Sequence, residues 1–262
     1  MKNPSQSLAV FSHEWHRSIV SKRFVSWIFL IGFPVMIVSL IRYAASVNRG
    51  TMVLETWGPI VYILVPCMCC MLSLLLTASP VLQAELEGRS WIYLAVRPGA
   101  KDALLVGKHM YASSRTILTA VISLIVCLWI GGFLAEIRFL MVMLALIVLS
   151  SIAYGAVYLF IGVLIPRRAM VVAVIFSAVE FWVSLAPAMI NRLTVQYRLR
   201  SLLIDWMNWD DLSSGWLADA PGFFSQVPWW QHVVVLIGMT VALLIAASII
   251  LNRREYIAIR DE

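Results

Sequence analysis

Acids, thiols and imidazoles are the groups with which this chain could do chemistry, and their spacing decides whether they do. His13-Glu14-Trp15-His16 offers two imidazoles and a carboxylate in one short run. Its histidines lack the four-residue spacing that sets two zinc ligands on one helical face. Glu85 and Glu87 could be paired as acid and base. Two residues apart, they point to different helix faces, and a solvated helix start, which favours acids, accounts for them better. Cys67, Cys69, Cys70 and Cys127 fall inside apolar runs with no histidine at ligand spacing, so they read as small buried hydrophobes. Gly107-Lys108 is not a phosphate loop, because Asp102 stands where that loop's first glycine belongs and His109 follows the lysine. Neither Gly-x-Ser-x-Gly nor His-Glu-x-x-His occurs. Glu180 is the one acid with apolar sequence on both sides. A charge at a helix centre costs about 2.5–3.5 kcal/mol on insertion scales, so such a group faces protein or water. Two readings stand for it: a pathway or dimer-contact residue, or a protonated or locally paired group. The sequence predicts that this chain is not itself an enzyme and holds no metal or cofactor.

The elements that position these residues follow from composition. Of 262 residues, 61% are apolar and only 13% are charged, more apolar surface than a soluble domain of this size can hide. The solvent is therefore a bilayer. Six runs reach the roughly 20 residues that a helix needs to cross about 30 Å of hydrocarbon: Phe24 to Tyr43, Gly58 to Pro80, Thr116 to Ala135, Phe139 to Ile165, Met170 to Ile190 and His232 to Leu251. Six crossings put both termini on one side. The termini and the loops after the second and fourth runs hold 14 of the 20 Lys and Arg, which predicts cytoplasmic ends in a cell membrane. Anionic lipid and topology then explain the net charge of +6 without nucleic acid. The 23 polar or amphipathic residues ahead of the first run, and the length of that run, predict no cleaved leader.

Three segments lie outside the runs. Leu8, Phe11, Trp15 and Ile19 recur at helical spacing beside Arg17 and other basic residues, which predicts an interfacial amphipathic helix over residues 1–23. Residues 81–113 form a charged, amphipathic cytoplasmic segment, with Gly107-Lys108 at the start of the third run. Residues 191–231 are too long for a structureless loop. Val195, Leu199, Leu202, Leu203 and Trp206 mark an apolar helix face there, with Gln196, Arg198, Arg200 and Asp205 opposite. That helix either lies on the outer leaflet or dips into the bilayer. Pro34, Pro66 and Pro187 are expected to kink their helices, and Ser151, Gly155 and Gly162 to form a small-residue packing face.

The order of these features resembles the permeases of ATP-binding-cassette type-2 (type V) exporters. Glu85, Glu87, Arg89, Ser90, Leu94, Pro98, Gly107 and Lys108 fall at that family's motif positions. The amphipathic N-terminus, the outer helical loop and the basic tail Asn252-Arg253-Arg254-Glu255-Tyr256 match in order, so the resemblance covers the chain as a single permease domain, 1–262. Gly88 and the bulky Trp91-Ile92-Tyr93 depart from the pattern. The resemblance implies an all-α, six-span protein with a coupling helix between the second and third spans. Glu85, Glu87, Arg89, Trp91, Leu94 and Pro98 would meet a cytosolic ATPase subunit, present in two copies and carrying the ATP and Mg. A second permease chain, identical or not, would complete the assembly. A non-transporting membrane scaffold or immunity protein on the same frame is the alternative, with a membrane-embedded enzyme further off.

Overall fold

A computed structural model describes residues 4–20, 24–47, 54–87, 99–185, 191, 192, 194–209 and 227–254, and among them the chain is helical with no strand. Five helices are long and apolar enough to cross a membrane: Val25–Val47, Thr56–Thr77, Ala100–Gly131, Ile137–Leu164 and Trp229–Arg253. In chain order, the elements are α1 (Pro4–Val20), α2 (Phe24–Val47), α3 (Leu54–Tyr62), a π-helical stretch (Ile63–Cys69), α4 (Cys70–Thr77), α5 (Val81–Glu87), α6 (Ala100–Gly131), α7 (Ile137–Leu164), a single 3-10 turn (Pro166–Arg168), α8 (Ala169–Leu185), α9 (Val195–Met207) and α10 (Trp229–Arg253).

The central element is α7, which packs against α4, α6, α8, α9 and α10. Its small face works as expected. A Cβ on Gly155 would lie 2.9 Å from the His109 ring, so only glycine lets α6 approach this closely. Ser151 accepts the Ser113 hydroxyl at its carbonyl. By contrast, α2 and α10 are peripheral and keep long rows of exposed apolar side chains, such as Val25, Phe29, Met36 and Tyr43 on α2. Lipid is the natural cover for such rows.

The second span is one rod built from α3, the π stretch and α4. The expected kink at Pro66 is taken up as a π-helical register instead: the Cys70 amide donates to the Val65 carbonyl, five residues back. A proline has no N–H for the helix ladder. The Pro66 carbonyl accepts the Ser150 hydroxyl at 2.7 Å.

Two expectations are corrected, one about an element bound and one about burial. The third span does not begin at Thr116: α6 is already helical from Ala100 and runs 32 residues to Gly131. That is about 48 Å of rod, well beyond a hydrocarbon core. Charge in its first half disguises it, and each charge is matched: Lys101 caps the Leu251 carbonyl, Asp102 accepts from Ser248 and Asn252, and Arg115 donates to Ser26 at 2.6 Å. A Gly132 at φ 80° ends the helix, with Gly132 and Phe133 amides returning to Trp129 and Leu128 carbonyls. The fifth expected run is helical wherever it is described, Ala169–Leu185, about 25 Å of rod; residues 186–190, with Pro187, lie outside the described residues. Finally, Gln196 is not on a solvent face of α9 but buried.

Candidate functional site

Two buried carboxylate centres stand out, one at the foot of α6 and one where α8 meets α9. The first gathers residues from three elements. Lys108 Nζ lies 2.8 Å from Glu14 Oε1 of α1 and 2.8 Å from Glu85 Oε1 of α5, and the lysine and Glu14 side chains are each only 6% exposed. The reason is local. On α5, Leu82, Glu85 and Leu86 share one face by the i, i+3, i+4 rule, and both leucines are buried. They join Leu104, Leu105, Leu159, Val163, Ala247 and Leu251 in a small core that Val10 of α1 also touches. Gly107 lets α1 close in, because a Cβ there would stand 2.8 Å from both the Ser7 carbonyl oxygen and Val10 Cβ. A row of rings continues the seam: Phe11 stacks on Trp15 at 5.8 Å, and Trp15 meets Trp27 and Tyr111 edge-on. Arg115 sits over Trp27 at 5.5 Å.

The N-terminal helix, expected at the membrane interface, docks on α6 and α2 with Glu14 inward, while Leu8 is 54% exposed. One expectation is corrected here. Glu85, expected on a solvated helix start, stands near the end of α5, is turned inward, and is held by Lys108. Two carboxylates around one ammonium leave a formal charge of −1. The joint fixes α1, α5 and α6 to one another. Of the other singled-out residues, Phe11 and Trp15 join the seam. The side chains of Arg17 and Glu87, and the whole of Arg89, Trp91, Leu94 and Pro98, lie outside the described residues.

The second centre is Glu180, 4% exposed on α8. Its Oε1 accepts the Tyr154 hydroxyl at 3.0 Å and the Val195 amide at 2.9 Å. Val195 is the first residue of α9, whose N-cap Thr194 accepts the Tyr197 amide at its hydroxyl. Among the described residues, Glu180 Oε2 is buried with no hydrogen-bond partner. Next along α9, Gln196 Nε2 donates to Cys67 Sγ at 2.7 Å, and the Tyr62 hydroxyl donates to Gln196 Oε1 at 3.3 Å. Cys67 stands halfway along the Thr56–Thr77 span, so α9 starts at mid-height of the bundle rather than on its rim. A helix start at that depth has no water to satisfy its amides, and irregular backbone survives there only with partners inside the protein. Glu180 supplies one. The sequence leaves pathway and local pairing open for this residue; both hydrogen bonds to its Oε1 come from within the protein. Arg200 of α9 donates to the Ser184 carbonyl of α8 at 3.2 Å.

The cysteines of the π stretch and α4 point to different neighbours: Cys67 to Gln196 of α9, Cys69 to the Leu30 carbonyl of α2, and Cys70 to Ser151 of α7. Sequence reasoning missed Glu14, Lys108 and Tyr154 as partners. The signal for Glu14 was the Ser7, Val10, Glu14 spacing, which shares a helix face; nothing local marks Tyr154. Set against known proteins, this chain matches no family model, no curated protein and no solved structure.

Proposed function

We propose that this chain is the permease subunit of an ATP-binding-cassette exporter of the type-2 (type V) class, moving a cargo across the cell membrane. In this reading α8 completes a six-span set, both ends are cytoplasmic, and two such chains work with two copies of a cytosolic ATPase. Catalysis belongs to that ATPase, with its ATP and Mg. The segment holding Glu87, Arg89, Trp91, Leu94 and Pro98 is the part the ATPase grips.

One observation carries the reading: the Lys108 joint welds α1 and α5 to the foot of a 32-residue span. A push on residues 88–98 enters a chain held on one side by α5 and on the other by α6. With the joint intact, the three helices move as one body, and a rod of about 48 Å swings its far end when its foot is displaced. Rigid-body motion of this kind is a common way to switch a path between two states. Glu85 serves the joint rather than the ATPase surface.

The test is co-purification with the cognate ATPase, together with ATP turnover. Trp91→Ala combined with Leu94→Asp removes two apolar anchors, and a buried anchor is worth about 2 kcal/mol or more, roughly a thirtyfold loss of ATPase binding. Glu87→Gln at the rim should change it little. Normal binding and turnover in the double variant, at normal membrane levels, would remove the exporter reading.

A further inference from the structure

The end of the bundle where α7 and α10 finish carries four exposed arginines on two adjoining segments: Arg167 and Arg168 in the 3-10 turn after α7, and Arg253 and Arg254 at the end of α10. Arg254 Nη1 donates to the Leu164 carbonyl at 2.8 Å. That bond sets the end of α10 against the last turn of α7, three residues before Arg167. None of the four meets a carboxylate among the described residues. The acid on the neighbouring helix, Asp102, is taken by the Ser248 hydroxyl and the Asn252 amide at 2.6 and 3.0 Å, and Glu85 is held by Lys108. Below the arginines the surface turns apolar at once. Ile165, Met170 and Val171 are exposed on one side, and Ile245 and Ile249 on the other.

We propose that this corner is a docking site for the headgroup of an anionic phospholipid, whose acyl chains lie along the exposed faces of α8 and α10. The arrangement has both halves of such a ligand: fixed positive charge at the level of the headgroups, and apolar rails directly beneath it. Arginine suits the task because its fork of five donors meets phosphate oxygens in pairs. One donor of Arg254 already holds Leu164, which leaves the guanidinium oriented with its remaining donors free to turn outward. A soluble anion would use the arginines and ignore the rails. The site rests on the membrane-spanning part of the proposed reading, and needs neither ATPase nor cargo.

The experiment reconstitutes the full chain in nanodiscs of phosphatidylcholine, alone or mixed with phosphatidylglycerol, and counts co-purifying lipids by native mass spectrometry. Near an anionic surface each arginine is worth roughly a fivefold factor in affinity. Replacing Arg167, Arg168, Arg253 and Arg254 by Gln should lower retained phosphatidylglycerol by about tenfold or more. The control replaces Arg42 and Arg138, which donate to the Gly131 and Trp206 carbonyls, by Gln at the opposite end and should leave retention unchanged. If the fourfold variant melts early, Arg167→Gln with Arg168→Gln and Arg253→Gln, which keeps the Leu164 bond, carries the test. Unchanged retention overturns the site. So do equal losses at both ends, which mean diffuse charge; displacement by inorganic phosphate at the same concentration, which means a free anion; and a loss of ATPase binding with lipid retention intact, which means a protein surface. Because the lipid count is made without the ATPase, failure here leaves the exporter reading standing, and failure of the exporter reading leaves this one.

Discussion

The two carboxylate centres solve one problem in opposite ways. At the foot of α6, Glu14 and Glu85 are stabilised by a full positive charge, Lys108, at 2.8 Å from each. At the α8–α9 junction, Glu180 has no cation bonded to it among the described residues and is stabilised by an amide and a hydroxyl. The first centre joins three helices that are separate in sequence and makes them one body. The second closes a gap in a single buried turn by satisfying the start of α9. Charge matched by charge is strong only while complete, since removing one member strands the rest in a low dielectric. Charge matched by dipoles degrades in steps, one hydrogen bond at a time.

That contrast sets an order of effects. Lys108→Met should be the most damaging change: it leaves the buried Glu14 and the half-buried Glu85 without their cation and should cost about 3–5 kcal/mol, read as a lower melting temperature in detergent. Adding Glu14→Gln and Glu85→Gln should recover most of the loss, because the stranded charges go with the lysine. Lys108→Met melting like the wild type would mean that the joint contributes nothing. Glu180→Leu comes next. It strands the Val195 amide and the Tyr154 hydroxyl, at about 1–3 kcal/mol for each group, and should speed amide hydrogen exchange at the start of α9 while leaving α1 protected. Spread of the faster exchange to α1 would show that the two centres are coupled and the contrast too sharp. Thr194→Ala removes the N-cap of α9 and should cost about 1 kcal/mol, in the same exchange window. Glu180→Gln keeps an oxygen for Val195 and Tyr154 and should be the mildest, under about 1 kcal/mol; a loss as large as that of Glu180→Leu would mean that the negative charge itself is required there.

Much of the frame is legible in the amino-acid sequence. Apolar runs of 20 or more residues have few alternatives to helices in a bilayer, and the spans over Phe24, Gly58, Phe139 and His232 sit close to where the runs place them. The apolar face of α9 is also readable, because Val195, Leu199, Leu202 and Leu203 repeat at helical spacing and all are buried. The start of α6 is not. Lys101, Asp102, Lys108 and Arg115 look like loop residues as long as their partners are unknown, and those partners come from α1, α2, α5 and α10.

The sequence by itself determined the solvent, the class of fold and the rough places of the spans, because those depend on composition and on periods of a few residues. It also marked Glu14, Glu85 and Glu180 as acids that need an account. Only the tertiary structure decided what each acid meets. Glu14 and Lys108 are 94 residues apart, and the polar neighbours of Glu85 in sequence point to a solvated side chain. Burial of a charge is settled by whatever packs over it, and a short-range pattern carries no record of that.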